Sequence, residues 1–323
     1  HAHNIHLDLS YAALAVARRF AKGVFLTTHD VGLFYYGRLG TRRYLKPGDL
    51  RVRDDFDYRV RWHEAMRAAR FEFNPFRQFF IRRALAGVHR TFPVSDALRE
   101  ALRQNGFPNT ETIHNGIDAS LWQSTPAEIA AFRERFELTD KKVILWAGRL
   151  RSDKGAKQLL EALALIIKDA PQTLLLVAGE RTGYGEMFLA QARRQNLGAH
   201  VRLTGWLAQP EIRVAYGSAD AVVVPSVVFD SFPNVVLEAM AAAKPVVATC
   251  FGGSREAVVH GETGFIVNPF DVPSLADRLR ELLLDVERAR VFGRAGLARV
   301  RSQFSLTRYL DTLEKHYAFA LHG

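Results

Sequence analysis

Cysteine is nearly absent: Cys250 is the single one among 323 residues. That excludes an internal disulfide, and it fits a reducing compartment. No apolar run approaches the roughly eighteen residues that a membrane-spanning helix requires. The opening His1-Ala2-His3-Asn4 lacks a basic stretch followed by an apolar one, the pattern of a signal peptide. Neither a repeat with a period of about 20–50 residues nor a low-complexity tract is present. Acidic residues are in deficit, 34 Asp and Glu against 44 Lys and Arg, a net charge of +10. What is there reads as a globular chain, 48% hydrophobic and 24% charged. It is longer than one compact core usually holds, so two domains are expected.

The positive charge is concentrated. Between Arg38 and Arg90 stand fourteen Arg or Lys against six Asp or Glu. Such a surface favours anionic partners, acidic lipid headgroups among them, or else it is a solvated face that only aids solubility. Phe71, Phe73, Phe76, Phe79 and Phe80 are interleaved with the cations, which suits a membrane-facing amphipathic surface. The expected setting is cytoplasmic, with peripheral contact to the inner face of an anionic membrane and no nucleic-acid partner.

From about residue 140 to 270, short apolar runs alternate with helical patterns. The runs are Val143-Ile144-Leu145-Trp146-Ala147, Leu174-Leu175-Leu176-Val177-Ala178, Ala221-Val222-Val223-Val224 and Val246-Val247-Ala248-Thr249. Runs apolar on both alternating faces read as strands of a parallel sheet covered on each side. Helices are expected between them over 156–168 and 235–243, which makes an open doubly wound α/β sheet. The first 120 residues read as part of a second such domain. A helix is expected over 11–22, a strand over 24–28, a helix over 96–105 capped by Ser95, and a short last strand at Glu111-Thr112-Ile113. From Ser305, a possible N-cap, Leu306, Leu310, Leu313 and Tyr317 recur at helical spacing.

Three segments carry chemistry. Gly148-Arg149-Leu150, with Lys154-Gly155 behind it, falls on a strand-to-helix loop at the carboxyl end of a strand, where open α/β sheets bind ligands. Glycine admits close backbone approach, and the two cations suit a diphosphate. The bland alternative is a loop with two solvated cations. The second segment runs from Asp230 to Glu238. Pro233 suits a first helical turn, and the N–H groups near Asn234 and Val235 would face an anion. If all of it were helix, the two acids would lie about 12 Å apart. Glycosidase pairs sit about 5–9.5 Å apart, so these acids suit opposite ends of one long ligand. Alternatively they are two exposed helix acids. The third segment, His114-Asn115-Gly116-Ile117-Asp118, reads by itself as a structural turn.

Together with Lys244-Pro245-Val246-Val247-Ala248-Thr249 and Gly252-Gly253…Glu256, these segments resemble glycosyltransferase family 4 in order and spacing, over nearly the whole chain. The resemblance implies the GT-B architecture, two Rossmann-like domains facing a cleft, with the first one incomplete. The domains are then 1–122 on the acceptor side, 123–303 for the nucleotide-sugar, and 304–323 as a helix returning to the first domain. It also implies transfer of a sugar from a nucleoside-diphosphate donor to an acceptor, with retention of configuration and no metal or other cofactor. Position by position, Arg149 and Lys154, with Gly148, would hold the diphosphate. Glu238 would bind the ribose, and Asp230 would face the transferred sugar. Asn234 and Val235 would donate backbone N–H groups to phosphate, Arg202 and Leu203 would flank the base, and His29 would lie near the reacting sugar.

Two departures stand out. Position 230 is Asp where the family usually has Glu, which bears on the donor sugar. Strands and a glycine-rich loop that the family places before His1 are not in this sequence, so it is expected to be N-terminally truncated. Asp55-Phe56-Asp57 is a DxD, a metal motif in another glycosyltransferase fold, but it stands in an Arg-rich stretch with no strand before it. His1, His3 and His6 read as the end of a strand rather than a metal site. The contrasting reading of the chain is a non-catalytic fragment or binding module whose basic segment grips membrane or nucleic acid.

Overall fold

The computed structural model describes residues 1–5, 9–180 and 183–322; His6 lies outside the described residues. Among the described residues the strands are β1 Ala2–His3, β2 Phe25–Thr28, β3 Arg90–Pro93, β4 Lys142–Ala147, β5 Thr173–Ala178, β6 Val201–Gly205, β7 Ala221–Val224, β8 Val246–Thr249 and β9 Gly264–Val267. The helices are α1 Ala12–Ala17, α2 Trp62–Ala69, α3 Arg77–Leu85, α4 Asp96–Gln104, α5 Pro126–Arg135, α6 Ala156–Ile166 and α7 Gly183–Arg194. They continue as α8 Gln209–Ser218, α9 Asn234–Ala241, α10 Ser254–Ala257, α11 Val272–Leu284, α12 Val286–Gln303 and α13 Leu306–His322.

The strands form two parallel sheets, β1-β2-β3 in the first domain and β6-β5-β4-β7-β8-β9 in the second. The order of the larger sheet reverses between β4 and β7. At that point the loops leaving the two strands diverge and open a crevice, the usual ligand position of such sheets. The four apolar runs were legible because β5, β7 and β8 are buried at every position and β4 at every position after Lys142; β9, equally buried, and β6 were not read from the sequence. Two clusters of buried side chains flank the second sheet. One includes Leu145, Leu176, Val222 and Ala248, and the other Ile144, Leu175, Val223 and Val247. Alternation along each strand sends successive residues to opposite clusters.

Five expectations meet corrections. The helix from Tyr11 ends at Ala17 rather than Lys22, because its last turns tighten, with Arg19 N–H donating to Val16 and Phe20 N–H to Ala17. The segment at Glu111-Thr112-Ile113 runs beside β3, with Glu111 N–H donating to Thr91 and Ile113 N–H to Pro93, but it is not a regular strand. The return bond to Glu111 would have to come from residue 93, and proline has no N–H. Helix α9 spans Asn234–Ala241, shorter than 235–243 at its far end, where Ala243 takes a positive φ of 54°. Its cap is Pro233, one place earlier than a first-turn proline. The 230–233 stretch is therefore not helical, and the all-helix spacing of Asp230 and Glu238 does not apply.

The chain crosses between domains twice, and the crossings pair. Ile117 N–H donates to Phe304 at 2.9 Å, and Leu306 N–H donates to Ile117 at 3.1 Å. Gly116 makes this possible: a Cβ there would lie 2.6 Å from Tyr309 Cβ. Beyond the crossing, α13 packs Leu313 against Phe25, Phe92 and Ile113 of the first domain. Ser305 Oγ accepts from Arg308 N–H at the start of that helix.

Candidate active site in the interdomain cleft

A cleft of about 1670 Å³ lies between the domains. Arg149, Lys154, Asp230 and Ser231 line one wall, and His29, Asp30 and residues of α1 and α3 line the other. The floor is knit across the domains. Gly40 and Val228 form an antiparallel bridge, Phe229 N–H donates to Leu39 at 2.9 Å, and Arg38 pairs with Asp153 at 2.5 Å.

The second-domain wall is built on glycines. Gly148 follows β4 with φ 114°, and its N–H donates to Ala178 at 2.9 Å, turning the chain out of the sheet. Arg149 is exposed, and among the described residues no hydrogen bond or ion pair engages it. After a short turn, Gly155 takes φ 84° and opens α6; a Cβ on it would sit 2.0 Å from the Pro225 carbonyl oxygen. This close approach brings Lys154 to the loop after β7. There Lys154 Nζ donates to Asp230 Oδ2 at 2.5 Å, and Ser226 Oγ donates to the same oxygen at 2.8 Å. Both side chains of the ion pair are largely shielded, 29% and 14% exposed, so solvent screens it less than a surface pair.

The Asp230 backbone is held by the Gly252-Gly253 pair. Asp230 N–H donates to Phe251, and Gly253 N–H donates to Asp230. A Cβ on Gly252 would lie 2.0 Å from the Asp230 carbonyl oxygen, and one on Gly253 would lie 2.1 Å from that of Ser231. Helix α9 begins just beyond, at Asn234, whose Oδ1 accepts from Asn115 Nδ2 at 2.9 Å. The cleft lining itself stops at Ser231, with Asn234, Val235 and Glu238 following it in the chain. Glu238, one turn into α9, accepts from the fully buried Tyr216 hydroxyl at 2.6 Å. Burial pushes the Glu238 carboxyl above its usual range, and the Tyr216 bond offsets part of that.

From the first domain, His29 directly follows β2. Its Nε2 lies 3.0 Å from His3 Nδ1, the rings are stacked, and its N–H donates to Asn4 Oδ1. Burial first, and then the neighbouring His3, hold its pKa below 6.5, while Asp30 pulls the other way. A neutral imidazole therefore faces the cleft.

Arg202 and Leu203 are not brought into the cleft. Arg202 stands on the edge strand β6, pairs with Glu137 at 2.5 Å, and shares a separate depression with Leu203, Leu189 and Arg193. The carboxylates of the DxD point outward, Asp55 to Arg53 at 2.7 Å and Asp57 to Arg59 at 2.9 Å, while Phe56 is buried.

Sequence reasoning gave Glu256 no role. Its carboxylate crosses from α10 to the first domain, accepting from Asp96 N–H at 2.8 Å, Ala97 N–H at 2.9 Å and His114 Nε2 at 2.7 Å. It thereby caps α4 from another domain. Asp96, His114 and Glu256 bring their ligand atoms within 4.8 Å of one another, but hydrogen bonds already occupy them, with Asp96 Oδ1 accepting from Thr112. Arg38, Ser226 and Tyr216 were missed as well. Arg38 and Tyr216 act on partners 115 and 22 residues away, and Ser226, four residues before Asp230, stands in a loop with no motif of its own.

Residues 128–299 match the family model described as glycosyl transferases group 1, and residues 1–121 match that described as glycosyltransferase family 4. A glycogen synthase of Mycobacterium tuberculosis is 34% identical over 218 residues, covering 68% of this chain and 50% of its own length. A D-inositol 3-phosphate glycosyltransferase of Segniliparus rotundus is 35% identical over 219 residues, covering 66% and 47%. The chain thus spans about half the length of the curated relatives it matches. The crystal structure of Anabaena Alr3699/HepE in complex with UDP covers 95% of this chain and 81% of that one, with a TM-score of 0.72 at 21% identity, a likeness of fold. The matches span both halves of the cleft just described, and on them the chain belongs to the group 1 glycosyl transferases, with a family 4 first domain and the GT-B architecture.

Proposed function

We propose that the chain transfers a glycosyl group from a nucleoside-diphosphate sugar to an acceptor, with retention of configuration and with protein cations rather than a metal meeting the diphosphate charge. The observation that carries this reading is the Lys154–Asp230 pair beside unengaged Arg149, in a cleft that receives His29 from the opposite domain. An arriving diphosphate draws Lys154 off Asp230. Arg149 and Lys154 then stabilise the charge that grows on the departing nucleoside diphosphate. The first N–H groups of α9, at Asn234 and Val235, add the positive end of the helix dipole. Freed of Lys154, the Asp230 carboxylate faces the positive charge that develops on the sugar. Glu238 accepts the ribose hydroxyls, with Tyr216 fixing its orientation, and neutral His29 hydrogen-bonds the reacting sugar.

A panel of nucleoside-diphosphate sugars, read by release of nucleoside diphosphate, tests the activity. Release from one donor, lost in Asp230→Asn, is expected. No release from any donor, with nucleotide binding retained, favours a non-catalytic binding module.

The first domain also presents Trp62, Phe71, Phe76 and Phe79, exposed at 72%, 106%, 66% and 64%, among Arg61, Arg67 and Arg70. We infer that this surface rests on anionic lipid, the rings at the headgroup level and the guanidinium groups on phosphates. Sedimentation with anionic but not neutral vesicles, weakened by salt, is the expected result.

A further inference from the structure

Among the described residues, seven Arg or Lys side chains and two carboxylates line the cleft. The donor-side reading uses Arg149 and Lys154, and Arg38 is paired with Asp153. Arg77 is occupied too: it donates to the Gly32 and Leu33 carbonyls and lies over the Tyr36 ring at 4.5 Å. That leaves Arg18, Arg19 and Arg83. All three are exposed, and among the described residues no hydrogen bond or ion pair engages any of them.

Their placement is specific. An arginine pair, Arg18-Arg19, directly follows α1, and another, Arg82-Arg83, stands in the last turn of α3. Arg82 turns away to the Gly106 and Asn105 carbonyls and stacks on Phe107 at 4.8 Å. The other three line the cleft, with Ala12, Ala15 and Ala84 on the wall between them. Gly87 supplies the room: a Cβ there would lie 2.3 Å from Arg18 Cδ and 2.7 Å from Arg18 Nη1. Among the described lining residues the acid on this side is Asp30, which already accepts from Gly32 N–H at 2.7 Å. Among the described residues no carboxylate pairs with these three like charges on one cleft wall, and they repel one another until an anion joins them. Guanidinium forks match phosphate oxygens, and three of them favour a phosphate dianion over a single carboxylate.

We propose that the first-domain wall, at the ends of α1 and α3, is a subsite for an acceptor that carries a phosphate group, held by Arg18, Arg19 and Arg83. The inference rests on the glycosyltransferase reading of the cleft, and it names the chemical class of the second substrate. A soluble phosphate ester and a lipid phosphate headgroup share this chemistry.

Calorimetry on the full chain, with nucleoside diphosphate saturating so that Arg149 and Lys154 are filled, tests it with two probes. Glycerol 3-phosphate represents the soluble ester, and dihexanoyl phosphatidic acid below its micelle concentration represents the lipid. The Arg18→Gln/Arg83→Gln variant is expected to lose about tenfold or more in affinity for the probe that binds. Gly87→Ala keeps every charge but displaces Arg18, and should lose affinity severalfold. Arg301→Gln, on exposed α12, should match wild type. Similar affinities for the two probes assign a soluble acceptor, and a much tighter lipid probe assigns a lipid one. Binding of neither probe, or equal binding by the double variant and wild type, overturns the proposal. Nucleoside diphosphate affinity should be unchanged throughout. If wild type binds none, the donor reading fails separately, and the phosphate titration without nucleotide still reads the arginine wall.

Discussion

At the residue scale the cleft is tuned by burial acting on single groups. His29 titrates below 6.5 because protonating it in the fold costs more than in the unfolded chain. Between those two values the unfolded state holds more protons, so stability falls as pH is lowered through that window. His3, lowered chiefly by burial, acts in the same direction. Thermal unfolding from about pH 7.5 to about pH 5 should show this loss, smaller in His29→Asn; a variant with an unchanged pH slope would remove His29 from the account. Tyr216 is the second case. Tyr216→Phe leaves the Glu238 carboxylate without its donor at a largely buried position, a loss of about 2 kcal/mol. Chemical denaturation measures it, and a change under about 0.5 kcal/mol would mean that solvent already satisfies Glu238.

At the scale of elements, close backbone approach does most of the positioning. Gly252 lies against the Asp230 carbonyl at φ 103°, where any side chain both collides and strains the backbone. Gly252→Ala should cost at least about 2 kcal/mol and reduce turnover more than nucleotide affinity, because it shifts Asp230 and leaves Arg149 in place. Equal losses in both would place the defect in the whole second domain. Strands β4, β5, β7 and β8 of the large sheet were legible because their apolar runs serve two buried faces, whereas β6, a half-buried edge strand, and β9 were not; Ser95 was legible as a cap, and its Oγ accepts from Leu98 N–H. The segment beside β3 was misread because one proline N–H decides the ladder. The Asp230–Glu238 spacing was misread because α9 starts only at Asn234. Arg202 looked available on a motif basis, but Glu137 holds it, and no local pattern announces a partner 65 residues away.

At the scale of the whole molecule, two domains share one set of polar contacts. Glu256 reaches across to cap α4 and hold His114, Asn115 meets Asn234, and the two crossing strands pair at Ile117. The His114-Asn115-Gly116 turn, unremarkable as a local pattern, is therefore the seam between the domains. Glu256→Gln keeps the shape but turns one accepting oxygen into a donor. It should cost about 1–3 kcal/mol and increase proteolysis at the crossing near residues 117 and 304. Unaltered proteolysis together with unaltered stability would deny the seam.

The central claim is that the second-domain wall binds a nucleoside diphosphate through Arg149 and Lys154. Calorimetric titration of UDP, GDP and ADP into wild type, Arg149→Ala and Lys154→Ala tests it most directly. The account predicts binding of at least one nucleotide by wild type and loss of about tenfold or more in each variant. Unchanged affinity in both variants would contradict it.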